Sequence, residues 1–214
     1  MKYQSYYHKY LGYDGSEMAF SEQRDKPLNR SYYYRVIATQ IDGKDFYSVS
    51  SNLRSFDVKD TIKESFEHMR DKYEYRCFYR MGLESYKRTQ VNLSRVYTYD
   101  DLDKFDSQKR AHVIQSYKDI LDQGRRFVVT VSGENVAYGM ISDIDFGGGN
   151  IVVYVKPEHR NKGYAKMLVS SCVDWCLDHD ILPVYLVDKD NLPSIRLAKS
   201  LGFASFSTEH VLSE

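Results

Sequence analysis

Hydrophobic and polar positions in the first half of the chain follow short, mixed patterns. Two strand-like runs, "YYYRVIAT" and "DFYSVSS", flank "QIDGK", whose Asp42-Gly43 pair is typical of a β-hairpin turn. Further along, "VKDTIKESFEHMRDKYEYRCFYRM" carries apolar residues at helical spacing from Val58 to Met69, which predicts a helix. Residues 1–30 show no clear period, and we interpret them as irregular.

The second half, from about residue 93, alternates strand and helix patterns. "LSRVYTY" predicts a strand, and "DDLDKFDSQKRAHVIQSYKDILDQG" predicts helix that ends at Gly124. "RFVVTV" and "VAYGMIS" around "SGEN" predict a hairpin, "DIDFGGG" a flexible connection and "NIVVYVKP" a strand. A helix over 161–180, the strand "LPVYLV", a helix after Asn191 and the strand "FASFSTEHVL" follow. This alternation predicts an α+β fold whose mixed sheet carries helices packed on it.

A basic, glycine-containing turn precedes the helix predicted at 161–180. The apolar residues of this helix form one stripe at Ala165, Leu168, Val169, Cys172, Val173 and Cys176, so the helix is docked and its N-terminus is fixed. Unpaired N–H groups and the helix dipole stabilise anions there, and Gly163 allows close approach. Arg160 and Lys162 add positive charge, which suits a diphosphate. The alternative is an ordinary turn glycine with solvated charges.

Composition and charge exclude several classes of protein. Among the 214 residues, Lys+Arg and Asp+Glu each number 30, so nothing global favours nucleic acid or an anionic membrane. No stretch approaches the roughly 20 apolar residues of a membrane span, and "MKYQSYYHKYLGYDG" lacks an apolar signal region. We therefore expect a cytoplasmic protein. Cys77, Cys172 and Cys176 are expected to be reduced, packed thiols, with no metal site.

Four linked motifs resemble the GNAT superfamily of N-acetyltransferases. "RNKGYA" fits Q/R-x-x-G-x-G/A, the acyl-CoA pyrophosphate loop, and "VYVKPEHRNKGYAKML" resembles the family's fourth strand, loop and third helix. "LVDKDNLPSIRLAKSLGF" resembles the V-x-x-x-N strand end and the N-x-x-[AS] helix that closes on a G-F pair. The resemblance covers roughly residues 93–214. Within the superfamily, these residues look closest to the bacterial group that includes the zwittermicin A resistance acetyltransferase, so the resemblance suggests a role in antibiotic resistance. Residues 1–92 carry no motif and are interpreted as an α+β extension or small subdomain that shapes the acceptor pocket or a lid.

The resemblance implies an acyl-CoA-binding fold whose sheet splays open between its fourth and fifth strands. The pantetheine arm would bond the backbone of the fourth strand, the diphosphate would take the loop N–H groups, and Asn191 would reach the cofactor from the next strand end. The implied acetyl-CoA-binding residues are Val153, Tyr154, Val155, Arg160, Asn161, Lys162, Gly163, Tyr164, Ala165, Asn191 and Ser194. The alternative roles are structural: Val153 and Val155 as core, and Asn191 as an N-cap.

The proton donor and the base do not follow from the resemblance. Many family members have a tyrosine where this chain has Ala198, so Ser194, Tyr185, Tyr164 or solvent would protonate the departing thiolate.

The base position is also altered. Where some relatives carry a glutamate, this chain has Gly149 or Asn150. Asp143 and Asp145 can act through water, and Glu134 is a weaker choice, whereas the alternative for all three is surface solvation. His159 suits a cofactor-edge or surface position.

Three functions are compatible with these residues. The favoured one is an acetyl-CoA-dependent N-acetyltransferase acting on a small-molecule amine, as a monomer or homodimer. The others are a protein or peptide acetyltransferase and a non-catalytic acyl-CoA-binding module.

Overall fold

One 11-stranded mixed β-sheet organises the chain in the computed structural model, which describes residues 2–28, 32–53, 55–88 and 93–214. The strands are β1 (Met18–Ser21), β2 (Pro27–Leu28), β3 (Tyr32–Ile41), β4 (Lys44–Ser50), β5 (Glu74–Leu83), β6 (Arg95–Val96), β7 (Arg126–Val131), β8 (Glu134–Asp145), β9 (Gly148–Val155), β10 (Leu182–Asp188) and β11 (Phe203–Ser213). Their order across the sheet is β1-β4-β3-β11-β5-β10-β9-β8-β7-β6, with β2 paired to β3.

Strands from both halves of the chain interleave at the centre of this sheet. β5, from the first half, lies between β10 and β11 and pairs antiparallel with both. β3 then pairs with β11, so the first-half hairpin continues the same sheet. The predicted domain boundary between residues 92 and 93 stays a prediction, and residue 92 itself lies outside the described residues. Strands from both sides of this boundary belong to one continuous sheet.

Helices cover both faces of the sheet. They are α1 (Lys2–Leu11), α2 (Ile62–Glu67), α3 (Ser107–Asp122), α4 (Tyr164–Asp178) and α5 (Leu192–Ser200). On one face, α4 and α5 enclose a core that also contains Tyr185 and Val187 of β10. On the opposite face, α1 packs its tyrosines against β3, β5, β10 and β11. The buried stripe of α4 predicted from the sequence is confirmed, including Cys172 and Cys176, which are buried free thiols like Cys77.

The sequence patterns located most elements of the second half. The hairpin of β3 and β4 is confirmed, and its turn residues Asp42 and Gly43 have φ of 50° and 78°. Gly124 follows α3 with φ of 64°, as a C-terminal glycine should. The strand predicted at residues 93–99 is shorter, because only Arg95–Val96 pairs. The helix predicted at 161–180 begins at Tyr164 and ends at Asp178.

Three predictions for other segments are wrong. Residues 2–11 form α1, whose buried residues Tyr6, Tyr7, Tyr10 and Leu11 have a helical spacing that the interpretation as irregular missed. The helix predicted from Val58 to Met69 is only Ile62–Glu67, and the rest of that quoted segment contains β5, a central strand with apolar contacts on both faces. The connection "DIDFGGG" is a tight two-residue turn at Phe146-Gly147, so Asp143 and Asp145 lie on β8 itself.

Among the described residues, no helix is long and apolar enough to cross a membrane. The same residues contain no group of three or more His, Cys, Asp or Glu side chains arranged to hold a metal ion.

Candidate functional site

The sheet opens between β9 and β10, the strands that correspond to the fourth and fifth of the resemblance. These parallel strands pair only at their first residues, where Gly148, Gly149 and Asn150 face Leu182, Pro183 and Val184. Beyond Asn150, β9 pairs only with β8, and beyond Val184, β10 pairs only with β5. The splayed sheet implied by the resemblance is therefore present, and Asn150 with Val184 marks the closed end of the opening.

The edge of β9 that faces the opening carries backbone groups without a strand partner. Val153 and Val155 turn their side chains into the core under α4, so they are partly buried. Tyr154 points to the opposite face and is 52% exposed. An extended chain can pair with such an edge through main-chain hydrogen bonds. The structure thus brings Val153, Tyr154 and Val155 to the opening, as predicted.

The N-terminus of α4 lies directly after the open end of β9. Gly163 is its N-cap residue, with φ of 81° and no side-chain capping bond. The first-turn N–H groups of a helix have no intrahelical acceptor and carry the positive end of the dipole. Asn161 also has a positive φ, of 61°, so the loop curves tightly before the helix begins. This loop can cradle a diphosphate against backbone donors.

Basic side chains surround this loop. Arg160 donates from Nε to the Val155 carbonyl oxygen at 3.3 Å, which ties the loop to the strand end. Arg160 and Lys162 are exposed and make no ion pair with a described residue. Lys156, in contrast, is paired with Glu134, which lowers the pKa of that carboxyl. Glu134 is therefore engaged at the surface and is a poor base. Tyr164 and Ala165, in the first turn of α4, are partly buried.

The far side of the opening is formed by the end of β10 and the start of α5. Asn191 caps α5, because its Oδ1 accepts a hydrogen bond from the Ser194 N–H at 3.2 Å. The Ser194 hydroxyl lies 2.8 Å from the phenol oxygen of Tyr185, a buried residue of β10. Burial raises the pKa of Tyr185, so its phenol stays protonated at neutral pH, and the same shift makes it a weaker acid than an exposed tyrosine.

The position where many family members have a tyrosine holds no proton donor in this chain. Ala198 is fully buried against α4 and β10 and carries no polar group. Of the three proposed substitutes, Ser194 and Tyr185 are brought together, whereas Tyr164 lies on the α4 side. His159 sits in the short turn before Arg160 and is partly buried, at the loop's edge.

The two predicted acidic residues lie near the closed end of the opening. β8 pairs with β9 through Ile141 and Ile151, and its register then shifts before Ile144. Asp143 falls in this shift, one strand away from Asn150, and accepts a hydrogen bond from the Ser142 hydroxyl at 3.0 Å.

Asp145, two residues further along β8, is more exposed than Asp143. Partial burial raises the pKa of the Asp145 carboxyl, and the neighbouring negative charge of Asp143 raises it further by a smaller amount. A carboxylate with a raised pKa is a better proton acceptor near neutral pH than an ordinary surface aspartate.

A small cleft joins these aspartates to residues that the sequence did not single out. Its volume is about 50 Å³, and first-half residues form the wall opposite Asp143 and Asp145. The first-half lining includes Tyr10, Arg24, Lys26 and Tyr34. No motif marks these residues, since the register of β8 and the docking of α1 create the cleft. We call it the four-charge cleft, after Arg24, Lys26, Asp143 and Asp145.

Comparison with known proteins agrees with this architecture. The family model "Acetyltransferase (GNAT) family" matches residues 90–203. The uncharacterized N-acetyltransferase YobR of Bacillus subtilis (strain 168) is 32% identical over 75 residues, which are 35% of this chain and 30% of that protein.

Solved structures share the fold at low identity. A GNAT-family acetyltransferase from Colwellia psychrerythraea gives a TM-score of 0.53 at 11% identity, covering 70% of this chain and 62% of that one. A GCN5-related N-acetyltransferase from Sphaerobacter thermophilus gives 0.52 at 16% identity, covering 73% and 57%. The matched parts span less than two thirds of each of these relatives.

The family match and the geometry coincide on the same residues. The matched range, residues 90–203, is more than half of the 214-residue chain and contains β9, the loop, α4, β10 and α5. The chain belongs to the acetyltransferase (GNAT) family.

Proposed function

We propose that this protein is an N-acetyltransferase that moves the acetyl group of acetyl-CoA to a primary amine of a small molecule. The observation that carries the proposal is the opening between β9 and β10 beside the uncapped N-terminus of α4. Reaction occurs by direct attack in a ternary complex, without a covalent acyl-enzyme.

The residues at the opening fit acetyl-CoA. The free edge of β9 at 153–155 matches the two amides of a pantetheine arm, which pair like an added strand. The loop at 160–165 offers backbone donors to the diphosphate, with Arg160 and Lys162 beside it. Asn191 and Ser194 stand on the opposite side of the opening. Acetyl-CoA supplies an acetyl thioester, an acyl donor with a thiolate leaving group.

The chain's own groups then handle charge and protons. The amine nitrogen forms a bond to the carbonyl carbon while the carbon–sulfur bond breaks, so one proton leaves nitrogen and one reaches sulfur. Backbone N–H groups at the β9 edge can stabilise negative charge on the carbonyl oxygen. In this proposal Asp143 and Asp145 accept the amine proton through water, and the hydrogen-bonded Tyr185–Ser194 pair delivers the proton to sulfur.

One observation favours a second function, a non-catalytic acyl-CoA-binding module. Ala198 fills the position where many relatives have their acid, and Gly149 or Asn150 fills the position of the glutamate. A module of this kind would bind acetyl-CoA and produce no acetylated amine.

Turnover on a panel of amines separates these functions. The purified protein is incubated with acetyl-CoA and aminopolyols, aminoglycosides, polyamines, amino acids, phosphoethanolamine or lysine peptides, and thiol release is followed with mass analysis of products. Acetylated small amines support the proposal, and a preference for aminopolyols would support the zwittermicin-type subgroup and a resistance role. Acetylation of peptides alone, or binding without product on every amine, would overturn it.

A further inference from the structure

The four-charge cleft has two positive and two negative groups that face each other without pairing. No ion pair within 4.0 Å joins Arg24 or Lys26 to Asp143 or Asp145, all four of which are described. Their charges nevertheless influence one another, since Lys26 and Arg24 both oppose the rise in the Asp145 pKa. The cleft therefore has zero formal charge and a separated distribution of positive and negative ends.

Arg24 is fixed in place by Tyr10 of α1. Its guanidinium stacks 4.5 Å from the centre of the Tyr10 ring, and its Nη2 donates to the Tyr10 carbonyl oxygen at 3.1 Å. Nη1 donates to the Tyr10 hydroxyl at 3.3 Å. The Arg24 side chain is only 2% exposed, and its Nε–H has no acceptor among the described residues. The Arg24 side chain also lines the cleft, so its positive charge can attract an anionic group there even though its unpaired Nε–H is closed to solvent.

The acidic wall lies on β8. The Asp143 carboxylate accepts a hydrogen bond from the Ser142 hydroxyl, and pairing with Gly148 fixes the backbone position of Asp145. The space of about 50 Å³ exceeds the ~10–15 Å³ that one water requires, and it suits the head of a small ligand.

We propose that the acceptor is a small primary amine that also carries an anionic group, such as an amino acid. The amine lies against Asp143 and Asp145, close to the closed end of the opening, and the anionic group lies against Arg24 and Lys26. This inference rests on the proposed function and narrows its acceptor class. A polyamine or aminoglycoside would leave the two positive groups of the cleft unpaired, whereas a zwitterion pairs with both walls.

Matched ligand pairs test this inference. Tyrosine with tyramine and ornithine with putrescine differ by one carboxylate, and phosphoethanolamine with ethanolamine tests a phosphate. We measure kcat/KM for each compound with acetyl-CoA, and equilibrium binding of each to the protein saturated with CoA. The anionic member should be favoured by about tenfold or more, the value of one charge-assisted hydrogen bond.

A charge-reversal variant at the exposed Lys26 is the second test of this inference. Lys26→Glu should reduce the preference for the anionic member by about tenfold and affect the partner that lacks the anionic group less. Lys72→Glu, the same change at an exposed lysine elsewhere, should keep the preference. Arg24→Lys retains the charge but loses the fork geometry, so it should weaken binding of the carboxylates.

The outcomes separate this inference from the proposed function. Equal or better use of tyramine, putrescine and ethanolamine overturns the zwitterion assignment while the acetyltransferase stands. Equal binding of both members of each pair overturns it even without turnover. Failure to bind acetyl-CoA, in contrast, contradicts the proposed function, and preferential binding of the anionic members would still support the cleft.

Discussion

Gly163→Ala isolates the contribution of the loop before α4. Gly163 has φ of 81°, and a Cβ built there meets no atom within 4 Å. The added methyl group therefore clashes with nothing in the folded chain, and its stability cost comes from the backbone conformation alone. We expect a loss of about 1 kcal/mol in the free energy of unfolding, the usual penalty of an L-residue in the left-handed region.

Gly43 provides a matched control. It lies in the turn between β3 and β4, with φ of 78°, and a Cβ there also meets nothing within 4 Å. Gly43→Ala should therefore cost about the same stability as Gly163→Ala. Only Gly163→Ala places a methyl group where a diphosphate would approach the N–H groups of α4.

The two variants should differ in acetyl-CoA affinity. Loss of one good contact to a charged phosphate is worth about 1.5–3 kcal/mol, so the dissociation constant of Gly163→Ala should rise by roughly tenfold to a hundredfold. Gly43→Ala should bind like the unmodified protein. Titration calorimetry with acetyl-CoA, alongside urea unfolding of both variants, measures each quantity. Equal affinities with equal losses of stability would refute the placement of the diphosphate on this loop.

Three further changes test other parts of the structure. The buried Arg80 donates from Nε and Nη2 to the buried Glu209 carboxylate at 2.5 and 3.2 Å. Arg80→Met leaves that carboxylate unpaired, so it should lower the free energy of unfolding in urea by about 3–5 kcal/mol, and adding Glu209→Leu should recover much of this loss. The Arg95 guanidinium lowers the pKa of Asp101 to about 2, so Asp101→Asn should cost about 1–2 kcal/mol at pH 7 after allowance for screening. Because the folded pKa of Asp101 is depressed, this difference should be lost as pH falls from about 4 towards 2, and a pH-independent cost would contradict the assignment. Tyr185→Phe removes the phenol from the opening, so kcat should fall at least about tenfold with little change in the KM for acetyl-CoA, and an unchanged kcat would exclude it as proton donor.

The loop, the helix and the cap that we assign to acetyl-CoA could be located from the sequence because their signals are local. The loop at 160–165 needs a glycine, basic neighbours and a docked helix, and each leaves a mark within a few residues. The same holds for Asn191, whose cap depends on Ser194 three residues later. The splay between β9 and β10, in contrast, was inferred only through resemblance. No pattern in one strand shows where its pairing with another strand ends.

The first half was predicted less well for a physical reason. β5 is covered on both faces, so it lacks the apolar–polar alternation that marks a half-buried strand. Its tyrosines and arginines also made the segment look less apolar than a buried strand usually is. α1 buries Tyr6, Tyr7, Tyr10 and Leu11, which follow a helical spacing. Because tyrosine is amphipathic, this period is hidden when the tyrosines are counted as polar. Both elements depend on long-range packing.

The residues that show family membership and the residues proposed to choose the acceptor come from different parts of the chain. The family match ends at residue 203 and begins at residue 90, so it covers the opening, the loop and Asn191. Arg24 and Lys26 lie outside it, yet they face Asp143 and Asp145 from within it. A relative that shares only the matched region would share the proposed acetyl-CoA site and one wall of the cleft. If the cleft selects the acceptor as we propose, acceptor specificity does not transfer from such relatives, because the other wall is built by α1 and the segment before β2.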